Sequence, residues 1–322
     1  MTMGRAGVRV EFEPRFCANH VVDLTAGCSF GCIYCPFSDL GARRRGARHP
    51  VALAMDHVDQ LPAPASVFLS PASDPFAPQA AAGTHTLLTH LLPRGTNVGI
   101  LTKGIIPDAT LDLLAAHPRQ IEGVAIGVTS LDDRRNAVLE PGCPPARARL
   151  ANLDRIAERG LIGAIRIDPM FPDVDDRPES LDRLLDEAAS RSANAVTATY
   201  VFAWGRYLRR LQSEPRLAAS VALLTEPAPM EGGTAFSVPL ARKLETYAYL
   251  AAHAKARDLY FNTCGCKDIR VRDVASFSTT CRNPFYFERG AITRSAGCRE
   301  PAPAAPFVPP AAPPAPPPVL RG

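Results

Sequence analysis

The sequence is poor in aromatic side chains, at 7%, and offers no interleaved platform on which bases would stack. It has no run of about 18 apolar residues, which excludes a helical membrane span. Residues 1–10 lack the apolar stretch of a secretory signal, so a cytoplasmic protein is expected. Charge of one sign is also scarce. Thirty-six Lys and Arg against 32 Asp and Glu give +4, too mild an excess to imply nucleic acid by itself.

What is present is more telling. A hydrophobic fraction of 46% suits a sizeable core. Nine cysteines in a reducing compartment point to metal ligands or reactive thiols, and their odd number argues against complete pairing. Many of the 32 prolines sit in the last two dozen residues. That Pro/Ala-rich segment buries too little to fold and reads as an extended, disordered tail.

Six short apolar runs read as strands covered on both faces: His20–Leu24, Ser66–Ser70, Asn97–Thr102, Gly123–Thr129, Ala164–Asp168 and Ala195–Phe202. Between them lie helical patterns at Thr84–Leu92, Ala109–His117, Ala146–Arg159 and Ser180–Ser190, the last with Leu181, Leu184 and Leu185 at i, i+3, i+4. Alternating strands and helices predict a parallel sheet built from βαβ units. Right-handed crossovers would curl it into an α/β fold, a partial (β/α)6 TIM-like barrel, with binding residues at the C-terminal mouth. Tyr207–Glu226 and Ala241–Asp258 are also predicted to be helical. The expected layout is a lead-in over 1–18, a barrel core over 19–205, a cysteine-containing C-terminal extension over 206–299 and the tail over 300–322.

The strongest signal is Cys28-Ser-Phe-Gly-Cys32-Ile-Tyr-Cys35, a C-x3-C-x2-C spacing in the loop after the first strand. Three thiolates can hold three irons of a cubane cluster and leave the fourth open. A ferredoxin would supply a fourth cysteine nearby, and none follows closely here. Zinc sites come as paired C-x2-C units. Gly27 and Gly31 suit a loop wrapped tightly round a cluster.

On this triad, with an aromatic residue before its last cysteine, the sequence resembles the radical S-adenosylmethionine (SAM) superfamily. The segments LSPASDP from Leu69, LTKG from Leu101, VTS from Val128, LEP from Leu139 and DPMFP from Asp168 resemble the branch that contains spore photoproduct lyase. The resemblance implies a [4Fe–4S] cluster on Cys28, Cys32 and Cys35, with SAM on the open iron. An external one-electron donor of flavodoxin or ferredoxin type would reduce the cluster. Reductive cleavage of SAM would then give a 5′-deoxyadenosyl radical that takes hydrogen from a substrate.

By the same resemblance, Ser73 and Asp74 would meet the SAM amino group; the alternative is an Asp-Pro turn with Ser73 as a local partner. Gln79 stands where many relatives carry an acidic residue. Lys103 would meet the SAM carboxylate as a point charge. Ser130 would contact the ribose or carboxylate, and Glu140 and Arg149 lie near the same rim or form a surface ion pair. Tyr34 would lie against the adenine or pack structurally. Cys143, in a rigid Pro-Gly-Cys-Pro-Pro turn, would be either a hydrogen donor or an ordinary loop thiol. Cys264, Cys266, Cys281 and Cys298 would hold an auxiliary Fe–S cluster or a zinc ion, or be loose thiols. Cys17 reads as structural.

The expected function is a radical SAM enzyme, lyase or oxidoreductase, acting on a small molecule or peptide of specialised metabolism. The alternative is nucleic-acid repair or modification, which the basic run Arg43–Arg48 would favour. A further alternative is a non-catalytic Fe–S or zinc protein.

Overall fold

The computed structural model describes residues 9–11, 20–25, 27–37, 50–61, 65–69, 73–230, 233–265 and 267–279. Cys17, Cys266, Cys281, Cys298, the Arg43–Arg48 run and the Pro/Ala-rich segment lie outside them.

The first half of the chain supplies β1 (Arg9–Glu11), β2 (His20–Asp23), α1 (Pro50–Val58), β3 (Ser66–Leu69), α2 (Ala81–Leu91), β4 (Asn97–Thr102), α3 (Asp108–Ala116), β5 (Ile121–Gly127), α4 (Asp133–Leu139) and α5 (Ala146–Glu158). The second half supplies β6 (Gly163–Met170), α6 (Pro178–Ser190), β7 (Ala195–Tyr200), α7 (Gly205–Gln212), α8 (Ala218–Val221), β8 (Glu226–Met230), β9 (Gly233–Ser237), α9 (Leu240–Lys255), β10 (Tyr260–Thr263) and α10 (Arg270–Val274). One eight-stranded sheet has the order β1-β2-β3-β4-β5-β6-β7-β10. β1 is antiparallel to β2, and the other seven strands are parallel. All six expected strands are there, in chain order across the sheet.

The period-2 alternation of a strand sends neighbouring side chains to opposite faces. Val98, Ile100, Val124, Ile126, Ile165, Ile167, Val196 and Ala198 are each at most 1% exposed. They pack in one cluster with Leu111, Leu114, Leu150, Leu153, Ile156, Leu184 and Leu185 of the helices. At roughly 1.5–3 kcal/mol per fully buried large aliphatic side chain, this layer dominates the stabilisation of the barrel. The alternate positions carry small or polar residues, among them Gly99, Gly127, Arg166 and Thr197. The interior face is therefore free to hold chemistry at its C-terminal end.

Three features depart from the sequence reading. Tyr260–Thr263, assigned by the sequence to an extension after residue 205, joins the sheet as a seventh parallel strand, with Tyr260 opposite Ala195 and Thr263 opposite Ala198. Its four residues are too short to show a period. The helix expected over Tyr207–Glu226 is instead two short helices, α7 and α8, because Pro215 disfavours helical backbone at Glu214. Pro227 and Pro229 then fix the extended backbone of the β8–β9 hairpin. α1 and α4 were not anticipated, and the Asp132 side chain caps α4 by accepting from Arg134 N at 2.9 Å and Arg135 N at 3.2 Å. No helix among the described residues is long and apolar enough to cross a membrane.

Candidate active site at the barrel mouth

The triad loop leaves the C-terminal end of β2. Gly31 takes φ +59°, a left-handed conformation open to glycine, and the Cys35 amide donates to the Cys32 carbonyl at 3.0 Å. The loop is tied down on several sides. Ile33 N donates to Leu139 O at 3.0 Å, and Gly142 N donates to Phe30 O at 2.9 Å. Ser29 Oγ donates to Gln79 Oε1 at 2.5 Å, while Gln79 Nε2 donates to Gly27 O at 3.2 Å. Gln79, the departure noted in the sequence, thus holds the cysteine loop with its amide. Tyr207 Oη donates to Tyr34 O at 2.6 Å, and Arg210 donates to Cys35 O.

All three thiols are half-buried. Burial pushes Cys28 up to about 12 and raises Cys35. Cys32 is lowered, first by its hydrogen bond with Cys143. Thiols whose anions are poorly hydrated await a cation, and iron would supply it. No three His, Cys, Asp or Glu side chains among the described residues converge on one ion site. A cubane does not require convergence, since each cysteine binds its own iron. Soft donors on a wrapped, clamped loop fit such a cluster.

Beside the triad lies a nest of buried charge. Tyr34 Oη donates to Glu140 Oε1. Arg149 Nη1 stands 2.7 Å from Glu140 Oε2, both side chains fully buried, and donates to Gly127 O at 2.9 Å. The Arg149–Glu140 approach is close but poorly aligned, so Glu140 Oε2, Arg149 Nε and Arg149 Nη2 have no hydrogen-bond partner among the described residues. Lys103 ends β4 with Nζ 5.6 Å from the centre of the Tyr34 ring. Burial opposes the charge on Lys103, but Glu140 and the Cys32 sulfur outweigh it and hold the ammonium. Burial likewise opposes Glu140 ionisation, and Lys103 and Arg149 overcome it. Tyr34, Glu140 and Arg149 are sealed from solvent. Lys103 is half-buried and faces the mouth side of the nest.

The other expected residues frame this corner. Asp74 Oδ1 accepts from Thr102 Oγ1 at 2.6 Å and Phe76 N at 2.9 Å, and Oδ2 accepts from Lys103 N at 2.7 Å. The carboxylate therefore fixes the end of β4 and aims Lys103. Burial raises its pKa. Ser73 donates to Asp23 Oδ1 through its amide at 2.9 Å and its hydroxyl at 3.1 Å. Ser130 Oγ accepts from Asp132 N at 3.0 Å, at the start of α4. Cys143 Sγ lies 3.8 Å from Cys32 Sγ. Cys264 is buried just after β10; its three expected partners lie outside the described residues.

Sequence reasoning missed the opposite wall. Lys267 Nζ donates to both oxygens of Asp168, at 2.7 and 2.5 Å, and Arg166 Nε donates to Asp168 Oδ2 at 2.9 Å. These two cations hold the Asp168 carboxyl below the usual range against the effect of burial. Thr199, 4% exposed, has a buried hydroxyl with no hydrogen-bond partner among the described residues. Lys243 of α9 anchors Asp268, the next residue after Lys267, at 2.7 Å. Aromatic rings connect the walls: Trp204 meets Tyr207 edge-on at 5.3 Å and stacks on Phe202 at 5.7 Å, and Lys267 Nζ sits 5.0 Å over Phe202. The DPMFP motif held Asp168, but no spacing rule connects it with Lys267, 99 residues away. A cavity of about 600 Å³ between α6 and α9, lined by Asp173, Asp176, Arg242 and Tyr249, contains none of these residues.

The family model described as Radical SAM superfamily matches residues 22–185. Uncharacterised proteins of Mycobacterium tuberculosis and Mycobacterium bovis are 30% identical over 197 residues, 55% of this chain and 57% of theirs. An uncharacterised protein of the Acidianus two-tailed virus is 27% identical over 150 residues, 46% of this chain and 50% of that protein. The chain thus spans only about half the length of the curated relatives it matches. Among solved structures, spore photoproduct lyase complexed with dinucleoside spore photoproduct is similar, with TM-score 0.62, 16% identity, and 80% of this chain and 79% of that chain covered. Streptococcus suis SuiB bound to its precursor peptide SuiA gives TM-score 0.51 at 16% identity, over 76% of this chain and 48% of that one. Both likenesses concern the fold.

Proposed function

The chain belongs to the radical SAM superfamily, and from that premise we propose that it is an enzyme that cleaves SAM reductively and abstracts hydrogen from a small molecule or peptide. The observation that carries this is the clamped three-thiol loop at the barrel mouth with an ammonium fixed beside it. Cys28, Cys32 and Cys35 would hold a [4Fe–4S] cluster, which when bound supplies the electron that splits SAM into methionine and a 5′-deoxyadenosyl radical. Lys103 would meet the SAM carboxylate. Glu140 and Arg149 act behind it: their buried pair fixes the field in which Lys103 stays charged. Ser73 and Ser130 would offer hydroxyls at the neighbouring loops, and Asp74 orients Lys103 through its backbone.

The opposite wall would receive the substrate. Two cations around one carboxylate, with an unpartnered hydroxyl, are scaled to a small polar group. A flavodoxin- or ferredoxin-type donor would reduce the cluster, and Cys264 with Cys266, Cys281 and Cys298 would form an auxiliary site.

A second reading, action on nucleic acid, draws on one observation: Trp204 is 38% exposed at the mouth and stacks on Phe202 beside Lys267. A base could rest on such a ledge.

The first test is anaerobic. Iron-reconstituted protein with reductant and SAM is expected to release 5′-deoxyadenosine, measured by chromatography; no release would sink the proposal. Micromolar binding of DNA or RNA that weakens as salt rises would favour the second reading, and no binding at low salt would remove it.

A further inference from the structure

Cys143 was read from the sequence as a thiol at the rim, but its surroundings give it a narrower task. Its sulfur lies 3.8 Å from that of Cys32, a member of the triad. Backbone, not chance rotamer choice, puts it there. The segment from Leu139 to Cys143 is stitched to the triad loop by Ile33 N donating to Leu139 O at 3.0 Å and Gly142 N donating to Phe30 O at 2.9 Å. The contact is so close that a Cβ on residue 142 would stand 2.6 Å from Ser29 O. Cys143 N closes the turn on Glu140 O at 2.9 Å. Pro141, Pro144 and Pro145 remove most of the remaining backbone freedom.

We infer that Cys143 is a positioning residue for the cluster ligand: its thiol donates an S–H···S hydrogen bond to Cys32 Sγ and raises the reduction potential of the cluster. This rests on the reading that the triad holds that cluster. A cysteine bound to iron is a thiolate and can only accept. Cys143 is outside the triad, keeps its proton and is the donor. Among the described residues Cys32 Sγ is its hydrogen-bond partner. A fourth cluster ligand would sit on its own iron, separated from Cys32 by the width of the cluster, and the 3.8 Å gap is too short for that. Hydrogen bonds to ligand sulfur disperse the charge of the added electron and so favour the reduced state. Cys143 thereby makes the cluster easier for an external donor to reduce.

The test uses the full-length reconstituted holoprotein and reads the one-electron midpoint potential by redox titration with electron paramagnetic resonance. Cys143→Ala is expected to shift the reduction equilibrium about tenfold toward the oxidised cluster, about 59 mV for one electron. Cys143→Ser, which keeps a donor in the same place, should return most of that shift. A second measurement needs no variant. Electron–nuclear double resonance on the reduced parent should show a proton coupling that vanishes in D2O beyond those shared with Cys143→Ala. Equal potentials for parent and Cys143→Ala would overturn the inference. If the alanine variant holds no cluster, a reduced parent spectrum unchanged by D2O would overturn it as well. Iron and sulfide analysis of the parent tests the underlying reading separately, because a parent without cluster fails before any potential is measured.

Discussion

The two walls of the barrel mouth are built from the same residue types and differ in access. The wall at the ends of β4 and β5 places Lys103, Glu140, Arg149 and Tyr34 in a nest whose central pair is fully buried. The wall at the ends of β6, β7 and β10 places Arg166, Asp168 and Lys267 around one carboxylate, with 10%, 12% and 20% of their side chains exposed, and opens onto Trp204. Sealed charges cannot re-pair with water, so their geometry is fixed and their mutual field is strong. Half-exposed charges exchange partners cheaply. The first arrangement suits a cofactor that never varies. The second suits a ligand that must enter and leave.

The largest test of this contrast is on the sealed side. Glu140→Gln leaves Arg149 and Lys103 buried without their carboxylate, and should cost about 3–5 kcal/mol of unfolding free energy. Urea denaturation of the variant against the parent would measure it, and a loss below about 1 kcal/mol, the level of an exposed pair, would erase the distinction between the walls.

A pH experiment comes next. Asp175 sits behind the sealed nest, where Arg135 bonds both its Oδ2, at 2.6 Å, and Thr129 Oγ1, at 3.1 Å. Burial pushes the Asp175 carboxyl up to about 7, with Arg135 opposing. Between pH 4 and 7 the native protein therefore keeps a proton that the unfolded chain has released. Stability contributed by this group is greatest near pH 4 and falls as pH rises to 7. The parent should lose on the order of 3 kcal/mol relative to Asp175→Asn across that window, given 1.36 kcal/mol per pKa unit. Denaturation midpoints at three pH values would check it; parallel pH profiles would show that Arg135 governs the site instead.

The smallest effect is expected on the open wall. Lys267→Met leaves Asp168 its Arg166 partner and some access to water, so the loss should stay near 1 kcal/mol. A thermal unfolding scan would read it as a shift of a few degrees. A loss as large as that of Glu140→Gln would mean that both walls are structural.

Much of this was legible in the chain. The triad spacing, the six strands and Lys103 at a strand end are local patterns, and local sequence sets loop chemistry and periodicity. Motif position also brought Tyr34, Glu140 and Arg149 to one rim. Their division of labour was not legible: Arg149 looked like a rim charge and is fully buried, because the packing of α5 against β5 draws it inside. Asp74 looked like a ligand for an ammonium group, and its oxygens are already taken by Thr102, Phe76 and Lys103.

By itself, then, the sequence determined the cluster loop, the family and the parallel βα order, since each depends on residues close together in the chain. Tertiary structure alone decided that Tyr260–Thr263 completes the sheet, that Lys267 reaches Asp168, and that Cys143 stands against Cys32. Those contacts join residues 65, 99 and 111 positions apart. No spacing rule reaches so far, because the curl of the barrel and the burial of its helices set the distance.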